Sequence, residues 1–122
     1  MTKLLTIDDE IEFTGIIQNY FGVRGYDVHA ANRGDEGLQL FRKERPEVCL
    51  IDLKMPGIHG DEVLREILLE VPTTKCIMIT ASEGDGKMRA KLLSMGAYCC
   101  FDKPLSSLKD LETKIKEALE AK

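Results

Sequence analysis

The stretch Val48-Cys49-Leu50-Ile51-Asp52-Leu53-Lys54-Met55-Pro56-Gly57 decides the fold of this chain. Four apolar residues are enough for a short buried strand, and the Pro-Gly pair behind the acid favours a turn. The same pattern recurs where Leu4-Leu5-Thr6-Ile7 runs into Asp8-Asp9 and where Ile77-Met78-Ile79 runs into Thr80. Ligands of open parallel α/β sheets bind beyond the carboxyl ends of the strands, so we expect these polar residues to meet at one edge.

Segments of helical period separate the apolar runs, and this alternation is typical of a parallel sheet with helices on both faces. The sequence predicts an α/β fold of five βα units, (βα)5, with strands at 3–7, 27–31, 48–51, 76–79 and 98–101. The first helix is expected to bury one stripe made of Phe13, Ile16, Ile17, Tyr20 and Phe21. A glycine-rich loop at 82–86 is predicted before a helix at about 87–95, and Ser106 or Ser107 is a candidate cap for the last helix.

The composition indicates one soluble domain spanning residues 1–122. With 43% hydrophobic content, 122 residues can enclose one sizeable core but not two. The formal charge of -4 and the pI near 5.2 disfavour direct nucleic-acid binding, which requires a basic surface. No apolar run approaches the roughly 20 residues that cross a bilayer, and no signal peptide precedes the first strand. The chain is therefore expected to be cytoplasmic and to bind no membrane.

Four cysteines lie in or beside apolar strand runs: Cys49, Cys76, Cys99 and Cys100. Zinc sites usually draw on pairs spaced C-x₂₋₄-C, and the two adjacent cysteines would point to opposite faces of a strand. We therefore expect buried, hydrophobic cysteines without metal or redox roles. His29 and His59 have no Cys or His neighbours in sequence and are expected at solvent or loop positions.

The predicted carboxyl edge carries more negative than positive charge. Asp8, Asp9 and Asp52 supply three carboxylates and Lys103 supplies one ammonium group, which leaves two negative charges uncompensated. Two like charges at 4 Å repel by about 4 kcal/mol at an effective dielectric constant near 20, so the cluster requires a cation or raised pKa values. An all-oxygen ligand set favours Mg²⁺, which binds one or two carboxylates together with phosphate oxygens. The sequence therefore predicts phosphoryl-transfer chemistry.

Taken in chain order, Asp8-Asp9, Asp52-Leu-Lys-Met-Pro-Gly, Thr80-Ala81 and Lys103-Pro104 resemble the signature of response-regulator receiver domains. The resemblance covers essentially the whole chain and implies the flavodoxin-like strand order 2-1-3-4-5. It implies that Asp52 accepts a phosphoryl group from a histidine kinase or a histidine phosphotransfer protein. The aspartyl phosphate would then switch a surface that binds a downstream output protein or domain. Such a domain is a signalling module that catalyses only its own phosphorylation and dephosphorylation.

The resemblance also implies a metal site among these residues. Mg²⁺, or Mn²⁺ in its place, would be bound directly by Asp9, Asp52 and the backbone carbonyl of Lys54, and by Asp8 mainly through water. Capping of the first helix would occupy only one of the two adjacent acids and would not explain Asp52. The Lys54 side chain would border the route by which water reaches the acyl phosphate, so we expect it to tune the phosphate lifetime.

Two further residues would act on the phosphoryl group itself. Lys103 would pair with a phosphoryl oxygen and offset charge in the transition state. Thr80 would donate its hydroxyl to the bound phosphoryl group and draw its loop toward the site. Pro104 resembles the family's cis proline, and a cis Lys103-Pro104 peptide bond would aim the lysine inward, but the sequence alone does not decide the isomer.

One position departs from the family pattern. The switch aromatic normally lies three residues before the lysine, where this chain has Cys100, and Phe101 follows it. Neighbouring strand residues point to opposite faces, so Phe101 cannot take the place of the missing ring without a local shift. We expect phosphorylation to reshape residues 80–86 and the helix after them, with less relay through the fifth strand.

Two other protein classes fit the residues less well. A haloacid-dehalogenase-like phosphatase needs a second acid two residues after its nucleophile, where this chain has Lys54. A phosphate-binding P-loop needs glycine and Ser or Thr at positions that Ala81 and Met88 occupy. The alternative that stays open is a receiver-like interaction module that binds its partner without phosphorylation, and Cys100 is the feature in its favour.

Overall fold

The structure is a computed structural model, and it describes residues 1–81 and 86–121. Five strands and five helices alternate along these residues, which confirms the predicted (βα)5 architecture. The strands are β1 (Lys3–Ile7), β2 (Asp27–Ala31), β3 (Val48–Ile51), β4 (Lys75–Ala81) and β5 (Cys99–Lys103). The helices are α1 (Ile11–Gly22), α2 (Gly34–Glu44), α3 (Gly60–Glu70), α4 (Lys87–Ser94) and α5 (Leu108–Glu120).

The strands form one parallel sheet in the order β2-β1-β3-β4-β5, which confirms the order that the resemblance implies. Ile7 of β1 pairs with Ile51 of β3, and Ile51 pairs in turn with Met78 of β4. Because β1 and β3 end level with each other, the residues that follow them lie side by side. This register places Asp8 next to Asp52.

Two strands extend further toward this edge than the apolar pattern predicts. β4 reaches Ala81 and β5 reaches Lys103, in place of the predicted ends at 79 and 101. Thr80 pairs with Asp102, and Ala81 pairs with Lys103. Backbone pairing holds these last residues in the ladder although their side chains do not continue the apolar run. The predicted ends were wrong because hydrophobicity reports burial and not hydrogen bonding.

Helices cover the sheet on both faces. On one face, α2, α3 and α4 bury apolar side chains, namely Leu38, Phe41, Val63, Leu64, Ile67 and Leu92. On the other face, α1 and α5 bury Ile17, Phe21, Leu111 and Ile115. The β3 side chains alternate between the two cores and are all buried, which explains why this strand is apolar throughout.

The buried face of α1 differs from the predicted stripe. Ile16 is 50% exposed, and Phe13 and Tyr20 are only partly buried. Thr14 is buried instead. Its hydroxyl donates to a carbonyl of its own helix at 3.0 Å and accepts from Asn32 Nδ2 at 3.3 Å, so burial leaves no unpaired polar atom. The helical period of α1 cannot reveal a hydrogen-bond partner that lies after β2, as Asn32 does.

The residues that directly precede α4 and α5 were the subject of two local predictions. Of the predicted loop at 82–86, all but Gly86 lies outside the described residues, and Gly86 precedes α4 with a φ of 73°. Ser107 rather than Ser106 caps α5, because its side-chain oxygen accepts from the backbone N–H of Asp110 at 3.1 Å. No helix within the described ranges has both the length and the apolar character needed to span a bilayer.

The cysteines are all free thiols. Cys49 and Cys76 face each other across β3 and β4 and are fully buried, as predicted, whereas Cys99 and Cys100 are only half-buried. Burial raises the pKa of the Cys99 thiol to about 11, so this thiol stays protonated at neutral pH.

The prediction for His29 was wrong. It lies within β2, partly buried, with Nε2 at 3.2 Å from Asp27 Oδ1 and 3.5 Å from Glu44 Oε1. The carboxylate of Glu44 reaches His29 from the end of α2. Sequence spacing alone does not reveal this neighbour.

Candidate functional site

Three carboxyl groups meet where β1 and β3 end. The sheet hydrogen bonding continues one residue past each strand, since Asp8 N–H donates to the Ala31 carbonyl at 3.0 Å and Asp52 N–H donates to the Ile7 carbonyl at 2.9 Å. One carboxylate oxygen from each of Asp8, Asp9 and Asp52 lies within 4.8 Å of the others. Asp8 and Asp52 are buried and Asp9 is exposed, so the cluster has a closed floor and one open side.

Burial and mutual repulsion disfavour full ionisation of this cluster. Burial raises the pKa of Asp52 to about 7, and the neighbouring Asp8 and Asp9 carboxylates act in the same direction, while Lys103 opposes them. Burial also raises the pKa of Asp8, despite its contact with Lys103. The pocket can therefore relieve its negative charge in two ways, by binding a proton or by binding a cation.

Lys103 is the cation of the site. Its Nζ atom lies 2.7 Å from Asp8 Oδ2, 2.7 Å from Glu10 Oε1 and 3.7 Å from Asp52 Oδ2. Desolvation opposes its charge, but the contacts with Asp8 and Glu10 outweigh it, and the pKa of Lys103 is raised. The side chain is 15% exposed, and the Lys103–Pro104 peptide bond is cis.

The donor set fits a hard divalent cation. Asp8 Oδ1 accepts the Glu10 N–H at 2.9 Å, whereas the buried Oδ2 has the ion pair with Lys103 but no hydrogen bond of suitable geometry within the described residues. Asp9 lines an open cavity next to the cluster, together with Lys54 and other residues of the β3–α3 loop. Carboxylate oxygens without clustered His or Cys match the preference of Mg²⁺ rather than Zn²⁺.

The other two predicted site residues lie at the same edge of the sheet. Thr80 is buried near the end of β4, and no hydrogen bond joins it to Asp52 within the described residues. Lys54 is exposed on the loop that follows Asp52. The structure thus brings Asp8, Asp9, Asp52 and Lys103 into one cluster and leaves Thr80 and Lys54 at its margin.

Cys100 lies away from this cluster, on the face of the sheet covered by α4. It packs with the core that contains Leu92, whereas Phe101 packs with the opposite core. This confirms that the two neighbours point to opposite faces. The carbonyl of Cys100 accepts a hydrogen bond from Arg89 Nη1 of α4 at 2.8 Å, and Arg89 Nη2 lies 3.2 Å from Asp102 Oδ1.

Two residues of the site did not emerge from the sequence. Glu10 contacts Lys103, and Asn32 Nδ2 donates to the backbone carbonyl of Asp8 at 2.8 Å. Their positions in the sequence gave one clue, because Glu10 directly follows the acidic pair and Asn32 directly follows β2, the neighbour of β1 in the sheet. Their partners, Lys103 and Asp8, are distant in sequence, so this clue could not be interpreted before the fold was known.

Gly60 sets how closely α3 approaches the strand that carries Asp52. Its N–H donates to the Leu53 carbonyl at 2.7 Å, and a Cβ atom at this position would collide with the backbone carbonyl of Asp52. Only glycine allows this approach without a backbone shift. The first residue of α3 therefore supports the strand end from behind.

Known proteins resemble this chain both in sequence and in fold. The model of the response regulator receiver domain matches residues 4–116. The transcriptional regulatory protein CpxR homolog of Haemophilus influenzae is 37% identical over 119 residues, which are 98% of this chain and 51% of that protein. A response regulator receiver domain protein (CheY-like) from Methanospirillum hungatei superposes with a TM-score of 0.91 at 29% identity, covering 98% of this chain and 94% of that one.

A second solved structure is the response regulator protein TrrA from Thermotoga maritima in complex with Mg²⁺-BeF. It superposes with a TM-score of 0.85 at 29% identity and covers 97% of this chain and 99% of that one. The chain spans about half the length of the first curated relatives that it matches. The family match includes every residue of the acidic cluster and Lys103. By sequence and by fold, the chain belongs to the receiver domains of two-component response regulators.

Proposed function

We propose that this domain accepts a phosphoryl group on Asp52 from the phosphohistidine of a histidine kinase or a histidine phosphotransfer protein. The observation that carries the proposal is the meeting of Asp52 with Asp8, Asp9 and Lys103 at one edge of the sheet. A carboxylate oxygen of Asp52 forms the bond to phosphorus while the nitrogen–phosphorus bond of the donor breaks. The leaving imidazole keeps the electron pair and takes up a proton.

Mg²⁺, with Mn²⁺ as the alternative ion, is the cofactor in this proposal. Asp9, Asp52 and the backbone carbonyl of Lys54 would hold it directly, and Asp8 would hold it mainly through water. When bound, the ion neutralises the carboxylates and the charge of the transferred group. The spacing of the three carboxyl groups supports this assignment, and so does TrrA, which was solved with Mg²⁺-BeF.

Positioning and charge neutralisation account for most of the catalysis of phosphoryl transfer. The Lys103 ammonium group is near enough to Asp52 to pair with an oxygen of a phosphoryl group bound there. The Thr80 hydroxyl would donate to the same group from β4. Water that passes the exposed Lys54 side chain would hydrolyse the aspartyl phosphate, so Lys54 would tune how long the signal lasts.

The output would be a changed surface around α4, which a downstream protein or domain reads. With Cys100 at the position of the usual aromatic ring, we propose that the change passes chiefly through Thr80 and the residues that lead into α4. The two contacts of Arg89 with β5 support a direct link between α4 and the edge strand. Phosphorylation would loosen or reposition that link.

The test is a titration with Mg²⁺ followed by beryllofluoride, monitored by amide NMR in the wild type and in Asp52→Asn. We expect saturable, Mg²⁺-dependent shifts around Asp9, Asp52, Thr80 and Lys103, extending along α4. The substituted protein should lose the beryllofluoride response because the anion binds the Asp52 carboxylate oxygen. Glu12→Gln, which changes the charge by the same amount on an exposed turn of α1, serves as the matched control.

A wild type without any response would contradict the proposal. The domain would then be a receiver-like interaction module that works without phosphorylation, the alternative that Cys100 favours. A response elsewhere in the pocket, with unchanged amide shifts over residues 80–95, would contradict only the proposed route through Thr80 and α4.

A further inference from the structure

Lys103 is held by a carboxylate that the proposed chemistry does not use. Its ammonium group donates a hydrogen bond to Glu10 Oε1 at 2.7 Å, whereas 3.7 Å separate it from Asp52 Oδ2. The Phe13 ring supports it, with the ring centroid 5.0 Å from Nζ. The ammonium group thus lies 2.7 Å from both the buried Asp8 Oδ2 and the exposed Glu10 Oε1, and further from Asp52.

The side chain of Glu10 has no part in capping α1. Glu10 occupies the N-cap position of this helix, but its side chain accepts no hydrogen bond from the first turn. It is also 63% exposed, whereas the side chain of Asp8 is 2% exposed. Within the described residues, the contact with Lys103 is the one hydrogen bond and the one ion pair of its carboxylate. The side chain of Glu10 therefore makes its hydrogen bond to Lys103 and not to the first turn of α1.

Glu10 also adds to the negative charge that an arriving phosphoryl group meets. Carboxylate oxygens of Asp8, Glu10 and Asp52 lie within 3.7 Å of the Lys103 ammonium group, and Asp9 belongs to the same acidic cluster. A phosphoryl group on Asp52 brings further negative charge, and like charges repel at these distances. The Lys103 ammonium group lies near enough to Asp52 to pair with a phosphoryl oxygen, but Glu10 and Asp8 already share it. It can neutralise the new charge fully only when it gives up the contact with Glu10.

We propose that Glu10 competes with an arriving phosphoryl group for the ammonium group of Lys103 and thereby lowers the affinity of the site for a phosphoryl group. The proposal rests on the function proposed above. On phosphorylation, a phosphoryl oxygen replaces the Glu10 carboxylate as a partner of the Lys103 ammonium group. The exchange is inexpensive on the Glu10 side because its exposed carboxylate regains water. Glu10 is a positioning residue in this scheme, since it acts through Lys103.

The test compares wild type, Glu10→Gln and Glu12→Gln in two separate titrations. Isothermal calorimetry gives the Mg²⁺ affinity first, and then the beryllofluoride affinity at saturating Mg²⁺. We expect Glu10→Gln to bind beryllofluoride about two- to fivefold more tightly, the range that an exposed ion pair of up to about 1 kcal/mol allows. Its Mg²⁺ affinity should stay equal or fall slightly, because one nearby negative charge is lost. Glu12→Gln, which neutralises another acid at the start of α1, should change neither affinity.

A second readout tests the contact itself. The Nζ or Cε resonances of Lys103 in the metal-free protein should shift in Glu10→Gln and stay unchanged in Glu12→Gln. The inference is overturned if Glu10→Gln binds beryllofluoride no more tightly than the wild type, or if both variants gain equally through net charge. If the wild type binds neither Mg²⁺ nor beryllofluoride, the proposed function itself fails, and this outcome is distinct from the other two.

Discussion

The burial of Asp52 opposes the ionisation of its carboxyl group when no cation is bound. It is buried and lies between other carboxyl groups, and one ammonium group, 3.7 Å away, offsets part of the repulsion. These surroundings raise its pKa to about 7, against 3.8 for a free side chain. The proposed roles of Asp52 as nucleophile and metal ligand require its carboxylate, but the ionisation of this buried group weakens the fold that holds it.

Because of this opposition, the free energy of unfolding should depend on pH. Between pH 4 and 7 the unfolded chain releases the Asp52 proton and the folded chain retains it, so stability falls as the pH rises through this window. Asp52→Asn removes the effect. In chelator-treated protein it should be more stable than the wild type by about 2 to 4 kcal/mol at pH 8, since one pKa unit corresponds to about 1.4 kcal/mol.

Urea denaturation at several pH values provides the measurement. The difference between the two proteins should be small at pH 3, where Asp52 is mostly protonated in both states, and it should level off above pH 7. A difference that is independent of pH would show that the gain comes from packing or hydrogen bonding of the amide.

At the scale of the elements, the start of α3 determines where the end of β3 lies. Gly60 approaches the carbonyl of Asp52 so closely that a methyl group would collide with backbone atoms, which cannot move as a flexible side chain does. The glycine therefore couples α3 to the end of β3, where Asp52 lies.

Gly60→Ala should destabilise the domain by about 1 to 3 kcal/mol, the usual cost of overpacking, and should weaken Mg²⁺ binding because the Asp52 backbone shifts. Gly15→Ala is the matched control. A Cβ atom at Gly15 meets nothing within 4 Å, and its position inside α1 predicts a gain of about 0.5 to 1 kcal/mol. Thermal unfolding and a Mg²⁺ titration of both variants test the pair. Equal stability of the two would contradict the predicted close approach.

At the scale of the whole molecule, one divalent ion would stabilise the sheet, because the pocket joins strands that are distant in sequence. Asp8 and Asp9 follow β1, Asp52 follows β3 and Lys103 ends β5. An unfolded chain cannot hold these groups together, so an ion that binds the folded state shifts the folding equilibrium.

We expect Mg²⁺ at about 100 times its dissociation constant to raise the free energy of unfolding by about 2.7 kcal/mol at pH 8. The gain should shrink at pH 5, where protons compete for the Asp52 carboxylate. Calorimetric melting curves with and without Mg²⁺ at the two pH values test this. A gain of the same size at both values would place the ion away from Asp52.

The local patterns of this sequence predicted most of the elements. Buried strands such as β3 are continuous apolar runs, and capping residues and glycines mark where the elements between them begin and end. Both are short-range features of the sequence, so the predicted bounds of such elements lie close to the observed ones. The predictions failed where the cause is a partner distant in sequence. Thr14 is buried because Asn32 reaches it from another loop, and β5 extends to Lys103 because β4 pairs with it.

The sequence by itself determined the α/β class, the acids and the lysine at the strand ends, and the family to which they belong. Those features follow from residue type and local period, which each segment carries on its own. Only the tertiary structure decided that Lys103 pairs with Glu10 and Asp8, that Asn32 holds the Asp8 backbone, and that Asp52 is buried enough to raise its pKa. Contact distances and desolvation arise only when separate segments pack together, so no single segment of the sequence predicts them.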